Sequence, residues 1–514
     1  MPKVSFELPD STFDRYSWLL NDGQPASQTP LISDTPNFRS IRSDDTDQHP
    51  SAIVINGFPY VRSDALVDRA ADGATFPESL EELRVWRSHW LPQAEALAYV
   101  LEQFDPASVL PRFWGDVVQE HQTEFQRVFR GVHQESVGKA RLVAQKFVED
   151  YVTLFGVERK DDAYALLQGF PNLSLDRAKA LWGLSRLLRR LDGADGVATN
   201  VDQITDATPV GREFNEHFTE LLKEFGDTTN SRMQDLPTCS EDTAIPFAMI
   251  RGYSRQADDQ APWLSEAERS NRRLTLEDEM RTEAAIHHRV AQLMPLMTLA
   301  QELLPNSEDH NLLVDQRLFA ASRARWLAIG GFLQGRGAIL SIEEVFYYHL
   351  SELISTLEGE MPPSREVIST RRSLQSMYRS SPPPRVLGKP MPDIVTDPIM
   401  PEGTEEHALR GTPAAPGIYP GRARIVESLS EASLLNDGDV LVCRNTTPEW
   451  TPYFGLVGAI VMDAGGILSH GAIVAREFGV PAVVGAMTAV IRISEGATVT
   501  VDGSNGVVVV ELDV

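Results

Sequence analysis

The chain has only two cysteines, Cys239 and Cys443, and they lie far apart among its 514 residues. That count excludes a disulfide framework and a metal cluster built from cysteine thiolates. No apolar stretch approaches the roughly 18 residues that suit a membrane-spanning helix. The N-terminal residues contain no apolar run typical of a signal peptide. We therefore expect a cytoplasmic protein without a membrane partner.

Basic residues are scarce as well: 47 Lys and Arg stand against 73 Asp and Glu, for a formal net charge of -26. A nucleic-acid-binding surface needs an excess of basic residues to neutralise phosphates, so we expect no nucleic-acid partner. The acidic balance says little about small substrates, because local patches can oppose the global sign. The length predicts several domains, since one hydrophobic core does not extend over so many residues.

The sequence up to residue 379 predicts a mainly α-helical body. Residues 1–80 are irregular and contain one short hairpin signal, two apolar runs around Asn56-Gly57, and we assign them to the same domain as residues 81–379. From there apolar residues recur at three- and four-residue spacing with charges between them, which predicts long amphipathic helices.

Helix boundaries in the body follow from capping and breaking residues. One long helix is predicted to stop at Gly156, and a polar passage, residues 228–247, is predicted to be a loop. Two further long helices are predicted over residues 274–304 and 311–334, and a short one is predicted to start from Ser341 as its cap.

Proline-rich residues 380–406 predict a stiff, extended linker between domains. After it the periodicity changes to short β-branched runs bounded by Gly, Asp and Asn, which are typical of strands. One helix, from about His470 to Phe478, interrupts them. Residues 407–514 are therefore predicted to form a compact α/β domain.

The most informative stretch is GGILSHGAIVAREFGVPAVVG at 465–485. It predicts a glycine loop at Gly465 and Gly466, an N-cap at Ser469, and His470 in the first turn of a helix that Gly479 ends. A helix N-terminus favours a phosphoryl group and keeps a nearby imidazole neutral. Such a histidine can attack phosphorus and hold the phosphoryl group covalently. The alternative is that His470 only caps or packs the helix.

The same stretch closely resembles the phosphohistidine signature of the swivelling domain in PEP-utilising enzymes. The resemblance extends to 409–426, 445–454 and 501–510, and so covers the C-terminal domain. It implies that His470 is the phosphorylated histidine. It also places a set of phosphoryl-side residues in the same motifs: Thr446, Thr447, Gly465, Gly466, Ser469 and Arg476.

The helical body resembles the family more faintly, through LLQGFPN at 166–172 and through residues 327–353. These look like the acceptor-binding domain of the rifampin phosphotransferase type, which the phenylphosphate and alkylphenol-phosphorylating synthases share. In PEP synthase a PEP-binding barrel follows the histidine domain, whereas this sequence stops at Val514. We therefore expect neither PEP nor pyruvate as a substrate.

Family members make the phosphohistidine in an N-terminal ATP-grasp domain, and no glycine-rich phosphate loop is found in this sequence. The resemblance to split enzymes implies that a separate ATP-grasp subunit binds ATP and Mg²⁺. We expect no cofactor on this chain itself.

The acceptor side is predicted in residues 304–319, taken as the opening of a long helix. Asp309 or Glu308 would orient His310 as a general base toward an acceptor hydroxyl. The alternative is a solvated capping cluster with Ser307 as N-cap. The rifampin phosphotransferase type carries an arginine and a lysine where this chain has Ser307 and Asn311, so those cations are not carried over.

Three other arginines are candidates for neutralising charge during transfer: Arg317, Arg323 and Arg336. No metal site is predicted, since the adjacent His287 and His288 would point about 100° apart on a helix.

Together these observations predict the acceptor-binding and phosphohistidine subunit of an ATP-dependent dikinase-type phosphotransferase. ATP, an acceptor hydroxyl and water would give AMP, phosphate and a phosphorylated acceptor, with a small phenol preferred. Two alternatives stay open: an antibiotic-type kinase acting on a larger hydroxylated compound, and a non-catalytic phosphoryl carrier.

Overall fold

The computed structural model describes residues 17–20, 29–34, 52–56, 58–62, 85–192, 198, 200–229, 234–379, 386–388, 408–426, 431–446, 450–465, 470–486 and 488–511. Over these ranges a mainly helical body is followed by a C-terminal domain built around a mixed β-sheet, as the sequence predicts. No helix in this described part of the chain is both long enough and apolar enough to cross a bilayer.

The body is made of helices that pack side by side around several apolar clusters. In chain order they are α1 (Pro30–Asp34), α2 (Leu91–Glu102), α3 (Trp114–Gly131), α4 (Lys139–Phe155), α5 (Lys160–Ala165), α6 (Leu173–Asp192), α7 (Pro209–Phe225), α8 (Ala244–Ser254), α9 (Pro262–Ala284), α10 (His288–His310), α11 (Arg317–Gly335), α12 (Leu350–Glu358) and α13 (Arg365–Arg379).

Three π-helical turns interrupt these helices. They are π1 (Trp86–Trp90) before α2, π2 (Val132–Gly138) between α3 and α4, and π3 (Asn311–Gln316) between α10 and α11. A π-turn inserts an extra residue into a helix and is frequent at functional sites. The predicted helix end at Gly156 is confirmed: its φ of 95° is one that residues with a Cβ rarely adopt.

The predicted helix at 274–304 is wrong in its boundaries, because it crosses the break between α9 and α10 at residues 285–287, whereas residues 311–334 are helical as predicted, in π3 and α11. Helix α9 starts at Pro262 and α10 runs through Pro305 to His310, so residues 304–310 end a helix rather than open one. The Ser and Asp residues there are typical of a helix N-cap. However, α10 packs along α4, and this tertiary contact outweighs the local preference for a helix start. The chain from 304 to 316 is therefore one helical path that widens into π3.

Two smaller predictions also need correction. The loop predicted over 228–247 gives way to α8 at Ala244. The helix expected from Ser341 is a 3₁₀ segment, Ile342–Tyr347, and the α-helix that follows is capped instead by His349 and Glu352. In that capping box the Glu352 carboxylate accepts from the His349 backbone N–H at 2.9 Å.

A small antiparallel sheet lies beside the helices, in the order β2-β3-β1-β4. Its strands are β1 (Ser17–Leu20), β2 (Ala52–Ile55), β3 (Phe58–Arg62) and β4 (Val386–Gly388). The predicted hairpin is confirmed: β2 pairs with β3 and Asn56 has a φ of 52° at the turn. Strand β4 lies inside the predicted linker 380–406, so that segment contacts the body, and residues 389–406 lie outside the described part.

The C-terminal domain is a mixed eight-stranded sheet in the order β5-β12-β11-β7-β8-β9-β10-β6, with apolar clusters packed on it. The six runs predicted as strands are strands, and the helix predicted from His470 to Phe478 has those bounds. The elements are β5 (Ala408–Arg410), β6 (Thr412–Ala415), β7 (Ile418–Ile425), β8 (Val440–Cys443), α14 (Thr451–Phe454), β9 (Ala459–Met462), α15 (His470–Phe478), β10 (Ala482–Val484), α16 (Ala489–Arg492), β11 (Thr498–Asp502) and β12 (Val507–Val510).

The junction between α3 and π2 depends on one glycine. A Cβ added to Gly131 would lie 2.0 Å from the Trp90 ring of π1, and a rigid indole cannot move aside cheaply. We predict that Gly131→Ala lowers the free energy of unfolding by about 1–3 kcal/mol through overpacking. Gly331→Ala in α11, where nothing lies within 4 Å, should instead raise it by up to about 1 kcal/mol. Urea unfolding of both variants checks this, and equal effects would contradict it.

Candidate functional site

Helix α15 begins at His470, directly after the glycine loop that follows β9. A Cβ on Gly471 would lie 2.4 Å from the Thr446 hydroxyl and 2.5 Å from the Met462 side chain, so the first turn of α15 packs closely on the sheet. The buried Thr446 hydroxyl in turn contacts the Met462 sulfur at 3.4 Å. Gly465 ends the described part of the loop with a φ of 107°.

Several predicted phosphoryl-side positions lie outside the described residues. They are Thr447, Gly466, Ser469 and the side chain of His470. The described backbone nevertheless places the start of α15 at the end of a sheet strand. That is the position predicted for a phosphoryl-accepting histidine, and the role of His470 stays a prediction.

Helix α15 also faces the helical body. The Arg476 guanidinium donates to the Ala414 carbonyl of β6 at 2.6 Å, while Arg269 of α9 donates to the Arg476 carbonyl at 3.5 Å. Further along the interface α14 packs against α8, where Gln256 fits over Gly455. The C-terminal domain therefore docks on the body through the helix that carries His470.

A cavity of about 460 Å³ opens where α15 meets the body. That volume falls in the range of small-molecule pockets, and its walls are mostly apolar with a few polar groups, which is typical of such pockets. The body provides most of the lining and the C-terminal domain provides two residues. The lining residues are Ala144, Gln145, Val148, Glu149, Lys160, Tyr164, Leu167, Gln168, Gly169, Phe170, Asn172, Leu304, Pro305, Glu308, Thr412 and Arg476.

One wall is the loop at residues 167–170, which belongs to the LLQGFPN segment that the family resemblance points to. Gly169 has a φ of 71° and packs so tightly on α9 that a Cβ would lie 2.6 Å from the Ser270 nitrogen. The Arg273 guanidinium lies 4.2 Å from the centre of the Phe170 ring. Helix α9 therefore holds this wall in place.

A buried carboxylate supports that wall from behind. Glu277, 5% exposed, accepts hydrogen bonds from Arg273 at 2.7 Å, from Arg281 at 2.9 Å and from Gln301 at 3.0 Å. The Gln301 amide also donates to the Leu166 carbonyl at 2.8 Å. The network thus connects α9 and α10 to the start of the cavity wall.

The three predicted acceptor-side residues separate in the structure. Of them, Glu308 lines the cavity, and Asp309 accepts from the Leu173 backbone N–H at 2.9 Å, so it faces the start of α6. Burial raises the pKa of the Asp309 carboxyl, against the hydrogen bond from Leu173. The His310 ring is 1% exposed and faces Asp315 of π3. The position of Glu308 favours it over His310 as the base.

The three predicted acceptor-side cations do not line the cavity. Arg317 and Arg336 are exposed on α11 and at its end, and buried Arg323 pairs with Glu241 at 2.7 Å. The cations that line it are Lys160 of α5 and Arg476 of α15. Arg476 was predicted on the phosphoryl side, whereas Lys160 was missed, since an exposed lysine has no distinguishing signal in the sequence.

Tyr164, on the same wall as Lys160, is a phenol that stays neutral at physiological pH. Burial raises its pKa, and the nearby Arg476 guanidinium opposes that shift. Tyr164 can therefore offer a hydroxyl as donor or acceptor to a ligand held beside the C-terminal domain.

Comparison with known proteins finds a family match within the C-terminal domain. Residues 435–506 match the family described as "PEP-utilising enzyme, mobile domain". That match runs from β8 to β11 and includes α15. These residues are therefore similar to the mobile domain of PEP-utilising enzymes, and the relatives of the chain include proteins named as phosphotransferases.

Three relatives illustrate how far the similarity extends. Chondramide synthase cmdD from Chondromyces crocatus is 30% identical over 83% of this chain and 12% of its own length. The uncharacterized phosphotransferase YvkC from Bacillus subtilis is 30% identical over 72% of this chain and 46% of its own. Rifampicin phosphotransferase from Bacillus subtilis is 36% identical over 33% of this chain and 19% of its own. The chain thus spans less than half of each relative.

Among solved structures, Enzyme I (nEIt), determined by NMR, matches at 15% identity with a TM-score of 0.16 over 53% of this chain and 81% of that one. That TM-score is too low to support an argument about fold or function.

The buried Glu277 network makes the cavity wall testable. We predict that Glu277→Gln lowers the free energy of unfolding by about 2–4 kcal/mol, because Arg273 then faces an amide instead of a carboxylate. Hydrogen exchange at residues 167–170 should accelerate. The control is Glu279→Gln on the same helix, an exposed residue 3.6 Å from Arg159, which should change stability by less than about 0.5 kcal/mol. Equal effects of the two variants would show that the Glu277 network does not stabilise the cavity wall.

Proposed function

We propose that this chain binds a hydroxylated acceptor in the cavity between the body and α15, and that phospho-His470 phosphorylates it. The observation that carries the proposal is the docking of α15 on the cavity rim through Arg476. Phosphohistidine-dependent transfer is supported by the mobile-domain match and by the relatives named as phosphotransferases.

The proposal is supported first by how near His470 lies to the cavity along α15. Arg476 lines the cavity, and His470 starts the same helix six residues earlier, which corresponds to about 9 Å along the axis. Reacting atoms must approach within about 3–3.5 Å, so a modest rotation of the docked domain would bring the imidazole over the cavity. A mobile domain provides that rotation, and residues 389–406 provide the connection.

The chemistry proceeds in two balanced steps. His470 takes the β-phosphoryl group of ATP, and water takes the γ-phosphoryl group, so that AMP and phosphate leave. The acceptor oxygen then attacks the phosphohistidine, the P–N bond breaks as the P–O bond forms, and the hydroxyl proton passes to a base. Glu308, a buried carboxylate in the cavity lining, would accept it.

Charge on the transferring phosphoryl group needs cations close by. Lys160 and Arg476 approach the cavity from the body and from the C-terminal domain respectively. They would therefore meet around the phosphoryl group only when the two domains are docked. This makes transfer depend on docking and limits hydrolysis of the phosphohistidine before the acceptor is in place.

A small phenol is the acceptor that the cavity fits best. Its walls are mostly apolar, with the Phe170 ring and the Tyr164 phenol among them. A phenol is already acidic, so a single carboxylate suffices as base. We further propose that ATP and Mg²⁺ bind to a separate ATP-grasp subunit, as the resemblance to split systems implies.

The central prediction concerns His470. Phosphoramidate, a chemical phosphoryl donor for histidine, should label the wild-type protein with an acid-labile, alkali-stable phosphate at residue 470. His470→Asn should take up no such label and yield no phosphorylated phenol, while its circular dichroism stays that of the wild type. Mass spectrometry after alkaline quenching identifies the labelled residue. Label on a different histidine, with turnover retained in His470→Asn, would overturn the mechanism.

The second prediction distinguishes the proton acceptor, Glu308, from the residue that carries the phosphoryl group, His470. Glu308→Gln should leave labelling of His470 unchanged but slow transfer to a phenol by about 10²-fold, since only the proton acceptor is lost. Single-turnover assays with the phosphorylated protein measure both steps. Glu149→Gln, at an exposed carboxylate on the same cavity, is the matched control and should transfer at nearly the wild-type rate. Equal slowing in both variants would indicate a charge effect instead of a base.

A second candidate function is an antibiotic-type kinase, favoured by the similarity to rifampicin phosphotransferase over 170 residues. A panel of phenols against a panel of macrolactams separates the two, because the cavity volume favours the smaller ring. If phosphate reaches neither panel but is passed to another protein, the chain is a phosphoryl carrier.

A further inference from the structure

A second cluster of titratable side chains lies on the side of α10 that is opposite the start of α6. His133 of π2, His310 at the end of α10 and Asp315 of π3 bring one ligand atom each within 4.8 Å of one another. Asp315 and His310 are buried, and His133 is partly buried. The three come from two helical segments, α3–π2–α4 and α10–π3–α11, that are about 180 residues apart in sequence, so only the fold assembles them.

The distances among the three side chains are close to those around one cation. His133 Nε2 lies 3.2 Å from Asp315 Oδ1, and His310 Nε2 lies 3.9 Å from Asp315 Oδ2. The longer distance exceeds a hydrogen bond. Two atoms bound to one ion at about 2.1 Å lie between about 2.9 and 4.2 Å apart, depending on the angle between them. The two distances involve different oxygens of Asp315, and one ligand atom from each residue lies within 4.8 Å of the others, so a small closure of the side chains would complete the site.

The orientation of the His133 ring supports the same conclusion. Its Nδ1 is 2.7 Å from the Phe129 carbonyl, and only a protonated Nδ1 can make that contact favourable. Nε2 of the same ring is then the nitrogen that faces the Asp315 carboxylate. A ligand histidine that donates its other N–H to a backbone carbonyl is the usual arrangement at metal sites.

The backbone is unusual at the same place. His133 and Asp315 lie in π2 and π3, and His310 immediately precedes π3. π-turns persist in helices mainly where a functional requirement outweighs their poorer hydrogen bonding. Here π2 packs against α10, and His133 of π2 reaches Asp315 of π3. The rings of His133 and His310 are 5.1 Å apart and nearly perpendicular at 82°, in an edge-to-face contact.

We propose that His133, His310 and Asp315 bind one divalent first-row transition-metal ion, such as Zn²⁺. Two imidazoles and one carboxylate are the ligand set of such ions, whereas Mg²⁺ and Ca²⁺ prefer oxygen ligands. The ion would join the α3–π2–α4 segment to the α10–π3–α11 segment, two residues from Glu308 in the cavity. This proposal does not depend on the proposed function, because binding is independent of phosphoryl transfer.

The test uses the untagged full chain, dialysed against a chelator and titrated with Zn²⁺ alone by calorimetry. The expected result is one equivalent bound, unaffected by millimolar Mg²⁺, with a higher melting temperature in the metal-loaded protein. Co²⁺ in place of Zn²⁺ should give visible absorption bands of a site with nitrogen and oxygen ligands. Asp315→Asn and His310→Asn should each weaken Zn²⁺ binding by at least about 100-fold.

The matched control is His121→Gln, which removes another buried imidazole, on α3, that is not part of the group. It should bind Zn²⁺ as the wild type does. Circular dichroism separates loss of the site from loss of the fold, and in folded Asp315→Asn the melting temperature should no longer respond to chelator. If the folded wild-type protein binds no Zn²⁺, or binds it equally well in both ligand variants, the proposal is wrong and the three side chains form a polar cluster without a metal.

Discussion

The position of α15 between the sheet and the cavity is the constraint on which the candidate site depends. In the proposed function, phosphoryl transfer acts over a few ångströms, so a histidine that receives the phosphoryl group in one place and donates it in another would need a rigid element and a defined distance from the acceptor. Helix α15 meets the first requirement, because Gly471 allows its first turn to pack directly on Thr446 and Met462. The contact between Arg269 and Arg476 contributes to the second, because it fixes α15 against the cavity rim.

The C-terminal domain could be predicted from the sequence almost completely, and the physical reason is local. Its strands are short β-branched runs closed by glycine, and α15 is bounded by a glycine loop and by Gly479. Strands β5 and β6 were missed because Pro413 and small residues give them no period-2 pattern. The body was predicted as helical, but its boundaries near 304–310 were wrong, since Pro305 and the Ser-Asp cluster indicate a helix start locally while packing of α10 on α4 continues the helix.

The candidate site shows the same division between local and tertiary information. The phosphoryl side is predicted from short motifs of the sequence and stays a prediction, whereas residues of the LLQGFPN segment on the acceptor side line the cavity. The remaining lining comes from α4, α5 and the end of α10, whose spacing is not encoded by any short motif. The cations Arg317, Arg323 and Arg336 were chosen by proximity along the chain. The fold directs Arg323 to Glu241 and leaves the other two exposed.

Because of the position of His310, the last turn of α10 contributes side chains to two different places in the body. Over the last turn of α10 the residues diverge: Glu308 faces the cavity, Asp309 accepts from the start of α6, and His310 turns toward Asp315 and His133. A regular α-helix rotates 100° per residue, so three consecutive side chains cannot share one site. The widening into π3 brings Asp315 back onto the face of His310. The carboxylate nearest to His310 along this turn is therefore that of Asp315, whereas Glu308 lies on the cavity.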